Sequence, residues 1–243
     1  MDIAIVTGGS KGIGKAIAKK YIAEKYTVFS LARSTTDLKN CTQIKVDLGN
    51  LEAAEKSFIS LFKRFENKNI HSITLINNAG RLGTISNLEN IQPEDIAKTI
   101  NLNTTIPLIL SSLFIKLTSH FKCTKKLINI SSGAAIKPYQ GWSVYCASKA
   151  ALNMITQTIA SEQNQLKNGV ICAAIYPGVV DTEMQEQIRQ TNKKDFKNKA
   201  RFVNLKLNNQ LFTPTHVANT LFKIDKNNLV NNGDIIDIRN ITD

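Results

Sequence analysis

Short runs of apolar and β-branched residues alternate along the chain with longer stretches in which apolar residues recur at helical spacing. The short runs lie at 3–6, 27–32, 44–46, 72–76, 126–130, 170–176 and 234–238. Most are apolar at consecutive positions, which is typical of strands that are buried on both faces of a sheet. Strands that alternate with helices predict an α/β fold. Its core would be a doubly wound parallel sheet of about seven strands, with helices on both faces.

The stretches between these runs carry helix signals. Apolar residues between Leu51 and Phe65 fall on one helical face, and Pro93 opens a helical pattern that continues towards residue 119. Thr213 and Pro214 are typical of an N-cap followed by proline at the first helical position. Because sheets of this kind bind ligands beyond the carboxyl ends of their strands, the residues that follow the strands are the candidates for chemistry.

The composition favours one soluble domain. The chain has 243 residues, 42% of them hydrophobic, which suits a single domain covering residues 1–243. No apolar run reaches the roughly 18 residues that a membrane span needs, and the N-terminus lacks a signal-peptide pattern. We therefore expect a cytoplasmic protein. The four cysteines and three histidines are scattered without metal-ligand spacing, so we expect no disulfide and no metal site.

The charge is strongly basic, with a formal net charge of +12. Lysine is abundant throughout, but one region is denser: from Arg189 to Lys206 there are seven basic residues against Asp195. This segment is either a solvated face or a lid that attracts anions. A nucleic-acid binder is a third function that the charge suggests, but the chain lacks the clustered basic helix and the stacking aromatics that such a protein needs.

The first predicted strand runs into the sequence TGGSKGIG at 7–14, which opens the first helix. Glycines allow a tight turn and a close approach of the backbone to a pyrophosphate, and the helix N-terminus offers unpaired N–H groups. The position of this loop predicts a dinucleotide site, although its TGxxxGxG spacing differs from the GxGxxG fingerprint. The residues predicted to contact the cofactor are Gly8, Ser10, Lys11, Gly12, Ile13 and Gly14.

The end of the second predicted strand indicates which dinucleotide is bound. Proteins that bind NAD usually place an acid there for the ribose 2′-hydroxyl. This chain instead has Arg33 and Ser34 directly after Ala32. An arginine suits a 2′-phosphate through charge-assisted hydrogen bonds, and Lys11 would add a second positive charge. We therefore predict NADP(H) rather than NAD(H) as the cofactor.

A candidate for acid catalysis follows the fifth predicted strand, which leads into Ser131 and Ser132. Tyr145 and Lys149 lie four residues apart on a helix that begins near Trp142, so their side chains share a face. Carbonyl reduction needs an acid to protonate the developing alkoxide, and a free tyrosine with a pKa of about 10 is a poor match to neutral pH. We expect the lysine ammonium to stabilise the phenolate and to lower that pKa.

These residues carry a resemblance to the short-chain dehydrogenase/reductase family. The chain has the family's motifs in order over nearly its whole length: the glycine loop, NNAG at 77–80, YxxxK at 145–149 and PG at 177–178. The resemblance implies a Rossmann-type fold. It places the family's catalytic tetrad on Asn101, Ser132, Tyr145 and Lys149. Ser132 is preferred to Ser131 because it precedes Tyr145 by thirteen residues, as in the family.

The resemblance also implies a role for each residue. Ser132 and Tyr145 would hold the carbonyl, Tyr145 would give the proton, and Lys149 would bind the nicotinamide ribose. Asn101 would hold a water that links Lys149 to solvent. The other cofactor contacts that it implies are Asp47, Asn78, Ala79, Gly80, Pro177, Gly178, Val180 and Thr182. Family members commonly associate through their long helices, so we expect a homodimer, with a tetramer as the alternative.

Within the family, PYQGWSVYCASKAALNM and PGVVDTEMQEQIRQT resemble the benzil reductases that form (S)-benzoin and, less closely, the sepiapterin reductases. This implies NADPH-dependent reduction of one keto group of a vicinal diketone to the (S)-hydroxyketone. Trp142 and Met184 would be apolar walls of the substrate pocket, and residues 181–212 would be its lid.

Two alternatives remain. One is a sepiapterin-type ketone reductase. The acid that anchors a pterin in those enzymes falls on Asn240 here, with Asp237 near, which counts against a pterin. The other is a non-catalytic regulator that binds NADP(H), but such a protein has no need to keep the four residues of the tetrad together.

Overall fold

The computed structural model describes residues 1–227 and 229–241, and seven of its strands form one parallel sheet. The spatial order is β3-β2-β1-β4-β5-β6-β7. The predicted α/β fold is therefore confirmed. The strand order reverses between β1 and β4, which is the place where open parallel sheets bind ligands. The strands are β1 (Asp2–Thr7), β2 (Thr27–Ala32), β3 (Cys41–Lys45), β4 (Ser72–Asn77), β5 (Thr124–Ile130), β6 (Ile171–Tyr176) and β7 (Asp234–Asp237).

Helices cover both faces of the sheet. Because side chains alternate along a strand, Ile3 and Ile5 of β1 enter one core, and Ala4 and Val6 enter the other. The first core is closed by α2, α4 and α5, and the second by α1 and α8. The helices are α1 (Gly12–Ala23), α2 (Leu51–Phe62), α3 (Pro93–Ile100), α4 (Ile106–Leu117), α5 (Ser143–Gln163), α6 (Glu183–Gln190), α7 (Lys199–Leu207) and α8 (Pro214–Lys226).

The long helical run that begins at Pro93 contains a π turn, Asn101–Thr105, between α3 and α4. By length and composition this run, Pro93–Leu117, is apolar enough to cross a membrane, which the lengths of the uninterrupted apolar runs did not predict. In the structure α4 instead buries Ile106, Leu110 and Phe114 in the core between the sheet and α2. Packing as a core helix accounts for its apolar composition.

The segment 181–212 leaves the sheet after β6 and contains α6 and α7. Its two ends are joined by backbone hydrogen bonds, from the Asp181 N–H to the Phe212 carbonyl and from the Phe212 N–H to the carbonyl of Val179, both 2.9 Å long. Beyond this base the segment packs onto the start of α5, where Phe196 stacks on Trp142 with ring centroids 4.8 Å apart. The segment therefore forms one wall above the carboxyl ends of the strands.

Candidate active site

A cleft of about 650 Å³ crosses the carboxyl edge of the sheet. Every side chain or backbone position predicted for the site lines this cleft, with the exception of Asn101. The dinucleotide motifs lie at the ends of β1, β2 and β4, and the candidate catalytic residues lie beside them at the end of β5 and the start of α5. The fold thus brings together motifs that are far apart in the sequence.

The glycine loop fits the phosphates of a dinucleotide because its backbone is packed too closely for larger residues. Gly12 has a φ of +52°, in the left-handed region that favours glycine. A Cβ on Gly14 would lie 2.3 Å from the Gly8 carbonyl oxygen and 2.4 Å from the side-chain amide nitrogen of Asn78. The Asn78 backbone N–H donates to the Thr7 hydroxyl at 2.9 Å, so the NNAG motif fixes the loop from behind. The helix N-terminus therefore faces the cleft with its backbone exposed to a ligand.

The two cations predicted to contact the cofactor, Lys11 and Arg33, differ in their partners. The ammonium of Lys11 is paired with Glu183 at the start of α6. Arg33 is exposed, and within residues 1–227 and 229–241 no carboxylate is paired with it. Ser34 donates from its hydroxyl to that of Ser10 at 3.2 Å, which ties the end of β2 to the glycine loop. The guanidinium of Arg33 is thus available to a phosphate.

Tyr145 and Lys149 lie on one face of α5 and are both buried, with 8% and 5% of their surfaces exposed. The ammonium of Lys149 donates to the Ile130 carbonyl at 2.8 Å and lies 5.8 Å from the centre of the Tyr145 ring. Burial raises the pKa of Tyr145 to about 12, while a hydrogen bond with Ser132 acts in the opposite direction. Burial also lowers the pKa of Lys149 to about 8.

The pKa of Tyr145 is therefore raised rather than lowered, because desolvation of the phenol outweighs the groups that favour the phenolate. The pKa shifts of Tyr145 and Lys149 still suit carbonyl reduction. At neutral pH the phenol keeps its proton and the lysine keeps its charge. The pair therefore holds a proton that it can give to an alkoxide, and a cation beside the phenolate that this transfer leaves.

The two serines at the end of β5 have different surroundings. Ser131 is buried, and its hydroxyl donates to the side-chain oxygen of Asn153 at 2.7 Å. Ser132 is only half-buried. Its hydroxyl accepts from the Ala134 N–H at 3.2 Å, and its proximity to Tyr145 acts to lower the pKa of that phenol. Ser132 is thus the serine beside Tyr145, as the spacing predicts.

The structure does not bring Asn101 close to Ser132, Tyr145 and Lys149. Its amide donates to the Gly49 carbonyl at 2.7 Å, away from the cleft. Asn103 is the buried asparagine next to the site. Its side-chain oxygen accepts from the Arg81 N–H at 2.9 Å, and its amide donates to the Ser148 hydroxyl at 3.1 Å. Residues two apart in a helix point in nearly opposite directions, so only one of the two asparagines can face α5.

Asn103 and Lys149 meet on either side of Gly80. A Cβ added to Gly80 would lie 3.2 Å from the side-chain oxygen of Asn103 and 3.8 Å from the ammonium nitrogen of Lys149. The glycine of NNAG therefore lets the asparagine approach the lysine. The sequence holds the signal for this, NLN at 101–103, but does not say which asparagine faces inwards.

The end of the cleft beside Tyr145 is aromatic. Trp142 stacks on Phe196, and its ring centre lies 5.5 Å from that of Phe202 and 4.9 Å from that of Tyr139. Met184 is partly buried against this cluster. Two arginines also line the cleft here: Arg201, from the basic segment 189–206, and Arg239, which the sequence did not single out.

The comparisons with known proteins agree with this geometry. The family described as short chain dehydrogenase matches residues 2–193. The chain belongs to this family, and it is an oxidoreductase that acts on carbonyl or CH–OH groups and has the family's fold for NAD(P)H.

Two curated relatives and one solved structure are similar to the chain over most of its length. The chain is 40% identical over 241 residues to the benzil reductase ((S)-benzoin forming) of Bacillus subtilis (strain 168), which covers 98% of this chain and 99% of that protein. It is 31% identical over 211 residues to the sepiapterin reductase of Rattus norvegicus, which covers 78% of each. A solved short-chain dehydrogenase/reductase from Saccharomyces cerevisiae superposes with a TM-score of 0.84 at 26% identity, over 99% of this chain and 97% of that one. The resemblance inferred from the motifs is confirmed.

Proposed function

We propose that this carbonyl reductase uses NADPH to reduce one keto group of a benzil-like vicinal diketone to the (S)-hydroxyketone. The observation that carries the proposal is the meeting of Ser132, Tyr145 and Lys149 with an aromatic pocket at the edge of a dinucleotide cleft. The similarity to benzil reductases over nearly the whole chain supports the substrate class.

The dinucleotide would be held by the loops at the ends of the strands. The glycine loop would bind its pyrophosphate, Arg33 its 2′-phosphate, and Asp47 would lie near its adenine. Residues 78–80 would lie beside the adenine ribose and residues 177–182 around the nicotinamide. NADPH, when bound, supplies the hydride. The free guanidinium of Arg33 supports NADPH over NADH.

The chain's own residues would handle the carbonyl oxygen and the proton. The hydroxyls of Ser132 and Tyr145 would hold the oxygen. As the carbonyl carbon accepts hydride, the oxygen takes the proton of Tyr145 and becomes the new hydroxyl. The ammonium of Lys149 would stabilise the phenolate until a proton returns from solvent. Asn103, rather than Asn101, would position Lys149 from across Gly80.

The pocket favours a diketone over a pterin. Its walls, Trp142 and Met184, are apolar. The carboxylate of Asp237 accepts from Nε of Arg239 at 2.8 Å and is also paired with its Nη2, so this acid is not free to anchor the amino groups of a pterin. Asn240, which takes the place of the pterin-binding acid in the sequence, carries no charge.

Some features of the whole chain complete the proposal. Residues 1–243 would act as one domain in the cytoplasm, with the segment 181–212 as the lid of the substrate pocket. A homodimer would form through α4 and α5. There Leu108 and Met154 are 46% and 63% exposed, although isolated apolar residues on a surface are common.

The test measures NADPH and NADH oxidation with benzil, sepiapterin and a simple ketone. We expect the highest kcat/KM for NADPH with benzil, and a clear preference for sepiapterin or for NADH would overturn the corresponding part of the proposal. Tyr145→Phe should lose turnover by orders of magnitude and still bind NADPH, because the phenol gives the proton but is one of many cofactor contacts. Near-normal turnover of this variant would exclude Tyr145 as the acid.

A further inference from the structure

The cleft carries more positive charge than an uncharged diketone requires. Outside the cofactor loops three arginines line it: Arg81, Arg201 and Arg239. Arg81 is paired with Asp95, and Arg239 with Asp237. In the described part of the chain no carboxylate is paired with Arg201. An unpaired guanidinium at the wall of a substrate pocket is a candidate anion site.

Arg201 is also distinguished within its own segment. Of the seven basic residues from Arg189 to Lys206, it is the one that lines the cleft. Arg189 and Lys206 are both held by Asp181, at 4.0 Å and 2.5 Å. Arg201 is thus the exposed cation of the basic segment that lines the cleft, while the other charges of the segment are paired or lie outside the cleft.

The surroundings of Arg201 leave most of its hydrogen-bonding capacity unused. One guanidinium nitrogen donates to the Tyr139 hydroxyl at 3.0 Å, and the guanidinium carbon lies 5.4 Å from the centre of the Phe202 ring. A guanidinium has five N–H donors, so the others remain available to a ligand. Because the Tyr139 hydroxyl accepts from Arg201, its own proton is free to be donated to the same ligand.

A row of aromatic rings links the Tyr139–Arg201 site to Tyr145. The Trp142 ring centre lies 5.6 Å from that of Tyr145, and the Tyr139 ring centre lies 4.9 Å from that of Trp142. Tyr145 and Tyr139 therefore lie on either side of Trp142 along one wall of the cleft. A substrate whose carbonyl lies at Tyr145 would place an aryl group along this wall, against Trp142, with its far end towards Arg201.

We propose that the physiological substrate is a vicinal dicarbonyl that carries an anionic group, such as a carboxylate, about one aryl ring away from the reduced carbonyl. Arg201 and Tyr139 bind that group. The inference rests on the proposed function and assigns the substrate class of the same site. Planar carboxylates suit a guanidinium because both of their oxygens can accept from it.

The test compares benzil-4-carboxylate with its methyl ester, which has a similar size and no charge. We expect the wild-type kcat/KM to be at least about tenfold higher for the acid, mainly through KM, because charge-assisted hydrogen bonds are the stronger kind. Arg201→Gln should bring the ratio of acid to ester near one, and Tyr139→Phe should lower it in part. Lys193→Gln removes the same charge at an exposed position outside the cleft and should keep the ratio. A wild-type ratio near one, or an unchanged ratio in Arg201→Gln, overturns the inference.

Binding provides a readout that does not depend on turnover. Trp142 is the only tryptophan in the chain and lies in the pocket wall, so its fluorescence reports a ligand. With NADP⁺ present, benzoin-4-carboxylate should bind more tightly than its methyl ester, and Arg201→Gln should abolish the difference. Equal binding by the wild type overturns the anion site. If no diketone oxidises NADPH, the proposed function fails, while this titration still decides on the anion site.

Discussion

At the scale of single residues, one physical cause acts on Tyr145 and Lys149 in opposite senses. Burial disfavours the charged form of each, so it raises the pKa of the phenol and lowers that of the ammonium. The two forms that reduction needs, a neutral acid and a cation beside it, therefore coexist below about pH 8. The lysine, and not the tyrosine, sets the upper limit of that range.

This order of pKa values predicts the pH dependence of reduction. Since burial lowers the pKa of Lys149 to about 8, kcat/KM should be level below that pH and fall above it as the ammonium is lost. The decline should approach about tenfold per pH unit if the charge is essential. Lys149→Arg, whatever activity it keeps, should move the decline to higher pH. A wild-type profile that stays level to pH 10, in protein shown to be folded by circular dichroism, would contradict the assignment.

The ion pair between Lys11 and Glu183 gives a second prediction for single residues. Both side chains are exposed, so the pair contributes little to stability. It does, however, engage the ammonium of Lys11, which lies beside the glycine loop. Glu183→Gln should release Lys11 and lower the Kd for NADPH by up to about fivefold, with no change for NADH. Glu186→Gln removes the same charge from the same helix and is the control. If the Kd falls equally for NADPH and NADH, Lys11 does not contact the 2′-phosphate.

At the scale of elements, the π turn decides which asparagine serves the site. Asn103→Ala removes a buried amide that contacts the NNAG loop and α5, and we expect kcat to fall by at least about an order of magnitude. If Asn103 acts by positioning Lys149, the alkaline decline of the pH profile should shift as well. Asn101→Ala should stay within about twofold of the wild type. The reverse ranking of the two variants would restore Asn101 to the tetrad.

The π turn is also a feature that the sequence did not predict, whereas the strands and the cleft were predicted. The strands were predictable because a strand buried on both faces must be apolar at consecutive positions, and the cleft followed from the ends of those strands. β3 begins at Cys41, before its apolar run at 44–46, because its polar residues still pair with β2. The phase of the turn at 101–105 depends on one extra residue in the helix, which no side-chain pattern marks. The position of Arg201 beside Tyr139 depends on contacts between residues 62 positions apart.

At the scale of the whole molecule, the far end of the sheet contains a buried ion pair. The Asp225 side chain of α8 is 3% exposed and lies 3.0 Å from the ammonium of Lys126 in β5. Tyr21 and Thr74 also donate hydrogen bonds to this carboxylate. The pair therefore connects α8 and α1 with two central strands. Lys126 and Ser132 are six residues apart along an extended chain, which places the cluster about 20 Å from Ser132.

Loss of this pair should change stability without changing the chemistry. Lys126→Met leaves a buried carboxylate without its cation, so urea denaturation should show a loss of about 3–5 kcal/mol in the free energy of unfolding. The double variant with Asp225→Asn should recover part of that loss. KM values for NADPH and diketone should stay near those of the wild type, measured where both proteins are folded. A loss below about 1 kcal/mol would mean that the pair is not a structural determinant.

The joined ends of the segment 181–212 bear on how this molecule can change its preferences. Because Asp181 and Phe212 are hydrogen-bonded at its base, the chain leaves the sheet and returns to it at one place. The segment carries part of the aromatic wall and Arg201, whereas Ser132, Tyr145 and Lys149 lie outside it. A segment of different length or composition could be exchanged at that base without altering the register of any strand. The molecule thus consists of a part built on the sheet, which holds Ser132, Tyr145 and Lys149, and a segment, 181–212, that can be exchanged and that would select the substrate.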